Sequence, residues 1–226
     1  MAPPLPDALD ALRAEIDALD DQLHDLLMRR ADVVDRLARS RAKAPGTTLR
    51  PGREAAILRR LLARHRGAMP ARAVVRLWRE LFASSIQQQA GFAVAVAPGA
   101  EDAARLHFGP GTPLRLRDED AALNAVRGGS MAVAVLPWPS PKARWWQGLD
   151  ATRLHIIARL PFLDDGSPAA AVVGPAPADP SGADRTVLRR GDALSEAEGF
   201  LTEAPAGATI LGHYAIPHDA ASPRPA

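Results

Sequence analysis

"LDALRAEIDALDDQLHDLLMRRADVVDRLARSRAKA" (9–44) is the stretch on which the fold turns. Its apolar residues fall at Leu9, Leu12, Ile16, Leu19, Leu23 and Leu26, then at Val33 and Leu37. Alternating steps of three and four make a coiled-coil seam, because a 3.5-residue repeat keeps the stripe facing one partner. The spacing predicts one helix from about Asp7 to about Lys43, roughly 55 Å long at 1.5 Å per residue. The two shorter helices that follow cannot cover such a stripe. Length and pattern together therefore predict a homodimer formed through residues 7–90.

The seam is interrupted. After Leu26 the next expected position is 30, and it holds Arg30; a step of four from Leu37 reaches Arg41. Eleven residues at about 100° each return these two arginines to nearly the same face, about 16 Å apart along the axis. An arginine in an apolar stripe is costly unless it is paired or bound to an anion. The pattern leaves both readings open. Arg30 could pair with a carboxylate of a neighbouring helix while Arg41 lies beyond the packed part, or both could face an anionic ligand.

Further along, the pattern predicts a second helix over 51–66, closed by Gly67, with Leu58, Leu61, Leu62 and His65 packed. Its start, "TTLRPGRE" (47–54), offers Thr48 as a cap and Pro51 in the first turn, where no N–H partner is lost. Arg50 and Arg53 crowd this end, which already carries partial positive charge, and only Glu54 opposes them. An anion would make that concentration of charge useful; the alternative is that both arginines point into water. A third helix is expected from about Ala71 to Gln89. Its stripe is Val74, Trp78, Leu81 or Phe82, then Ser85 and Gln89. Each of the three helices thus carries polar residues where apolar ones belong.

Composition narrows the chemistry. The chain has 226 residues, 47% of them hydrophobic and 4% aromatic, and it has no cysteine. That excludes disulfides, thiolate nucleophiles and cysteine-ligated metals. The opening MAPPLPDALD lacks the basic-then-apolar order of a signal peptide. The apolar runs FAVAVAP and MAVAVLP are too short to span a bilayer. A cytoplasmic protein with no membrane association is the expectation. Residues 1–90 hold 16 basic and 11 acidic residues, a net +5, whereas residues 91–226 hold 12 and 15, a net −3. That asymmetry suits a small anion or nucleic acid. Nucleic acid is disfavoured because the notable arginines lie on apolar stripes and stacking aromatics are few. No metal-ligand cluster, nucleophile–base pair or glycine-rich phosphate loop is visible, so neither metal nor cofactor is expected.

What remains is Arg13 on the flank of the seam, with Arg30, Arg41, Arg53, Glu54, Ser85 and Gln89. Several guanidiniums with neutral donors can hold a molecule bearing two carboxylates, because the planar fork pairs bidentately with each. Such a site suits a reaction that needs only positioning and electrostatic stabilisation.

The stretch from 9 to 44, with "RPGREAAILRRL" (50–61) and "VVRLWRELFASSIQQQ" (74–89), resembles the all-helical class of chorismate mutases. The resemblance covers about residues 7–90. It implies an all-α three-helix domain, intertwined in a dimer. It also implies conversion of chorismate to prephenate by an intramolecular [3,3] rearrangement, without cofactor, in aromatic amino-acid (Phe/Tyr) biosynthesis. By the same resemblance Arg13 would reach the partner's site, and Arg30 and Arg53 would bind substrate carboxylates. Arg41, standing where the family usually has lysine, would lie near the breaking ether bond, with Lys43 close by as a substitute. Glu54 would hold the ring hydroxyl, Ser85 would help with a carboxylate, and Gln89 would donate to the ether oxygen. An isochorismate-pyruvate lyase on the same fold, using nearly the same charges, is the sibling reading.

The division between the parts is expected at Ala90–Gly91, giving a helical domain over 1–90 and an α/β domain over 91–226. "PLRLRDEDAALNAVRGGSMAVAVLP" reads as strand, helix, strand, and "LHIIARL", "AAAVVG", "DRTVLRR" and "ATILGHYAIP" as further strands. "AAVVGPAPADPSGADRTVLRR" is similar to the region of prephenate dehydratases that leads into the regulatory ACT domain. Those enzymes carry Thr-Arg-Phe just before the glycine, where this chain reads "SPAAAVVG". The resemblance implies a shortened relative without dehydratase activity rather than a bifunctional mutase–dehydratase. Ser181 and Asp184 are readable as ordinary turn residues.

Overall fold

A computed structural model describes residues 5–41, 49–88 and 92–219. The chain divides into two compact units, Met1–Gly46 and Thr47–Ala226. The first is one helix, α1 (Leu5–Arg41). The seam expected from its spacing is there, and it lies open: Leu12, Ile16, Leu19, Leu23 and Leu26 are each more than half exposed.

The second unit begins with α2 (Pro51–Arg64) and α3 (Ala71–Gln87). α2 ends two residues before its expected end, where His65 turns to extended backbone. Gly67, with φ +89°, then supplies the left-handed conformation that carries the chain towards α3. The Ala90–Gly91 junction lies outside the described residues, as does Thr48.

An eight-stranded mixed sheet follows. It is built from β1 (Val94–Val96), β2 (Leu114–Leu116), β3 (Val133–Pro137), β4 (His155–Leu160), β6 (Ala170–Gly174), β7 (Asp184–Arg190), β8 (Ala193–Glu198) and β9 (Thr209–Ala215). Their order is β2-β1-β3-β6-β4-β9-β7-β8. β1, β2 and β3 run parallel, with α4 (Glu101–Phe108) and α5 (Glu119–Arg127) as crossovers, whereas β6 is antiparallel to β3 and β4. A separate small pair joins β5 (Leu163–Asp164) to β10 (His218–Asp219). Every strand expected from the sequence between 113 and 217 is present. So is the helix between β2 and β3, where Asp118 caps α5 by accepting from the Ala121 N–H.

Because successive strand residues face opposite sides, the sheet has two cores. Ala95, Ala134, Leu136, Ile156 and Val173 pack with α5 and with Trp145 and Trp146. Val94, Val96, Val135 and Val172 pack with α4, with Leu49 just before α2 and with Ile86 in the last turn of α3. A third cluster joins Ala55, Leu58 and Leu62 of α2 to Val75 and Phe82 of α3 and to Phe162 beyond β4. The expected α/β fold is thus found, and α2 and α3 belong to the same compact unit as its sheet.

Candidate active site

In α1, Arg13 is exposed, and its Nη1 donates to Asp10 Oδ1 at 2.9 Å. Arg30 is half-buried, and that burial lowers the pKa of its guanidinium. The 17 steps from one to the other span about 25 Å of helix. Arg41 closes α1, but its side chain lies outside the described residues, as does Gln89.

In the second unit the start of α2 lies beside α3. Glu54 is buried, and its Oε2 accepts from Arg79 Nη1 at 2.7 Å. Burial raises the Glu54 carboxyl and lowers the Arg79 guanidinium; in each case the opposite charge offsets part of the shift. Ser85, on the next turns of α3, is half-buried, and its Oγ donates back to the Leu81 carbonyl at 2.6 Å. Arg53 is exposed.

The positive start of α2 has an anion, and it comes from the same chain. Asp179 accepts from Arg50 Nε at 3.1 Å, from the Gly52 N–H at 2.9 Å and from the Arg53 N–H at 3.1 Å. It thereby satisfies two of the amides that a helix start leaves without partners. The cap expected from Thr48 is supplied at a distance, for Arg50 occupies the cap position with no side-chain bond of that kind. Gly52 makes the approach possible: a Cβ there would lie 1.9 Å from the Asp179 carbonyl oxygen.

The same loop, with the residue after β9, grips α2 about two turns later. Arg59 donates to Ser181 Oγ at 2.9 Å, to the Ala183 carbonyl at 2.8 Å and to the Ile216 carbonyl at 2.9 Å. Ser181 and Gly182 in turn donate their N–H groups to Asp184. Ser181 and Asp184 therefore close the turn into β7, as one reading of the sequence had them, and Ser181 also anchors a helix.

Residues 12–90 match the family model described as chorismate mutase type II. This segment is a chorismate mutase type II domain. Two curated relatives extend the comparison. The bifunctional chorismate mutase/prephenate dehydratase of Pseudomonas aeruginosa is 32% identical over 143 residues, covering 58% of this chain and 39% of that protein. The protein of the same name from Stutzerimonas stutzeri is 29% identical over 143 residues, with the same coverage. The chain spans about two fifths of the length of these relatives. No solved structure matches it significantly.

The mutase segment includes all seven residues singled out in the sequence. Among them, the structure places Arg53, Glu54 and Ser85 in the second compact unit, and Arg13 and Arg30 in α1. Arg79 was missed. It lies on the stripe of Val75 and Phe82, so it breaks an apolar face as Arg30 does, and the same reasoning would have found it. Asp179 had no such marker, being 127 residues from Gly52. No helix among the described residues is long and apolar enough to cross a membrane.

Proposed function

We propose that the protein is a chorismate mutase working as a homodimer in the cytoplasm, converting chorismate to prephenate in aromatic amino-acid biosynthesis. The observation that carries this reading is the family match, because it spans every candidate site residue from Arg13 to Gln89. The geometry of α1 supports the dimer. Arg13 and Arg30 stand about 25 Å apart on one helix, so both can touch one small substrate only if two copies contribute. The open leucine stripe supplies a self-complementary surface for that pairing.

In this reading Arg30 and Arg53, with Arg13 of the other copy, hold the two substrate carboxylates as charge-assisted forks. Binding both ends folds the side chain over the ring and converts positioning into rate. As the ether bond breaks, negative charge gathers on its oxygen, where Arg41 and Gln89 donate. Glu54 accepts from the ring hydroxyl. Arg79 is its positioning residue: the 2.7 Å bond fixes the carboxylate, and the positive charge opposes the rise that burial imposes on its pKa. Ser85 assists at a carboxylate. No proton leaves the substrate, so the site needs no general base.

The test is purified protein with chorismate. Loss of chorismate with prephenate as sole product is expected. Pyruvate released from isochorismate would favour the lyase instead. Phenylpyruvate at neutral pH would overturn the expectation that residues 91–226, lacking Thr-Arg-Phe before Gly174, do not dehydrate prephenate. Arg30→Leu sharpens the assignment, because it restores the seam while removing the fork. The variant should remain a folded dimer and lose at least about a hundredfold in kcat/KM. Near-full activity would leave Arg30 with a structural role only.

A further inference from the structure

Beside the α2–α3 contact, and sharing Val75 and Phe162 with it, lies a cavity of about 240 Å³. It is bounded by α3, by α4 and by the turn that leaves β4. Much of its wall is apolar, with Val75, Leu106 and the buried ring of Phe162. Three arginines meet it from one face of α3, Arg72, Arg76 and Arg79, at positions i, i+4 and i+7.

Their charges are not equally available. Arg79 is buried, paired with Glu54, and stands 5.7 Å from the Phe162 ring centre. Arg72 and Arg76 are exposed and form no ion pair among the described residues. His107 adds no charge near neutral pH: burial pushes its pKa well below the ordinary histidine value, and the Arg79 charge pushes the same way. The carboxylate at this wall is Asp165, which is exposed and already accepts from the Ser167 N–H at 3.0 Å. The cavity therefore joins an apolar wall to two unmatched guanidiniums. Its volume is below the range of about 300–1,000 Å³ typical of drug-sized ligands, so the occupant is a small molecule.

We propose that this cavity binds a small carboxylate with an apolar, ring-sized body. Arg72 and Arg76 take the carboxylate, a planar group that guanidiniums match in shape as well as charge. Val75, Leu106 and Phe162 take the body, with ring-on-ring contact at Phe162. An occupant also comes within reach of Arg79, the guanidinium that holds Glu54. The cavity and the proposed mutase site thus share one side chain, and this link rests on the mutase reading.

Calorimetric titration of the full chain with 3-phenylpropanoate tests the site without using activity. Saturable binding of one molecule per chain is expected. Acetate, which has the charge without the body, and 3-phenylpropan-1-ol, which has the body without the charge, should each bind at least about tenfold more weakly. The exposed pair Arg72→Ala/Arg76→Ala should weaken 3-phenylpropanoate by at least tenfold at unchanged melting temperature. Ala103→Phe, which fills the cavity and keeps every charge, should do the same. No saturable binding, equal affinity for acetate, or full affinity in either variant would overturn the proposal. The link to Glu54 is read separately, as a change of at least twofold in KM for chorismate at saturating 3-phenylpropanoate. An unchanged KM with binding intact would remove the link, while a parent without mutase activity would remove the mutase reading and leave the binding result standing.

Discussion

α1 and the α2–α3 pair are built from the same kind of sequence and end in opposite surroundings. In α1 the leucines at 12, 19, 23 and 26 are 54–62% exposed, whereas in α2 Leu58 and Leu62 are 0% and 7% exposed. The difference is not one of hydrophobicity. α2 and α3 are short, so one cluster with Phe162 covers their stripes, and the ends of the pair enter the core beneath the sheet. α1 has 37 residues, and its leucine stripe is exposed. An amphipathic helix reports that it needs a partner; its length decides whether its own chain can be that partner.

The largest expected effect strikes the open stripe. Leu19→Glu with Leu23→Glu would remove four leucines from the proposed two-copy interface, each contributing about 1.5–3 kcal/mol when buried. Sedimentation should then show a monomer at concentrations where the parent is expected to be a dimer, with the second unit still folded. A dimer that persists would mean that the stripe is not the interface. Next comes the covered side of the comparison. Arg79→Met leaves Glu54 buried without its partner, which should lower stability by about 3–5 kcal/mol in denaturant titration. Adding Glu54→Gln should recover part of that loss. Additive losses would show that the two residues act independently.

A smaller effect is expected at the cap. Asp179→Ala takes a charged acceptor from the start of α2 and should lower stability by about 1–2 kcal/mol. No change would mean that Asp179 contributes little to holding α2. The smallest effect is in the pH dependence. His107 is held neutral in the folded state, with a pKa well below the usual 6.5. As pH falls through about 6.5 the unfolded chain takes up a proton that the folded chain refuses, so stability falls with falling pH. His107→Gln should flatten melting temperature against pH between about 6.5 and 5. His155 and His213, also lowered by burial, contribute in the same direction, so the flattening is partial.

Period was legible, and pairing across distance was not. The 3–4 spacing placed α1, α2 and α3, and short apolar runs punctuated by Gly and Pro placed β3, β4, β6, β7 and β9, because both follow from which faces of an element are buried. β8 escaped: "ALSEAE" is polar and exposed, and it is a strand because it bonds along β7 at the edge of the sheet. At the candidate site, the residues that interrupt apolar stripes could be read directly, and Arg79 was readable by the same rule. That Arg50 and the start of α2 would find their anion in a loop beyond β6 could not be read, since nothing near Asp179 distinguishes it from any other aspartate in a turn.

The grip of that loop on α2 bears on inheritance. The segment that matches the mutase family ends at residue 90, yet α2 is bolted by Asp179 and by four acceptors of Arg59 supplied by residues 181–216. A recombination event at 90 would carry off the family signature and leave its fastenings behind. Gly52 records the same dependence in a single residue, for a side chain there would collide with a loop encoded far downstream. The start of α2 and the loop after β6 thus fit each other closely, and a side chain added at Gly52 would require the loop to move.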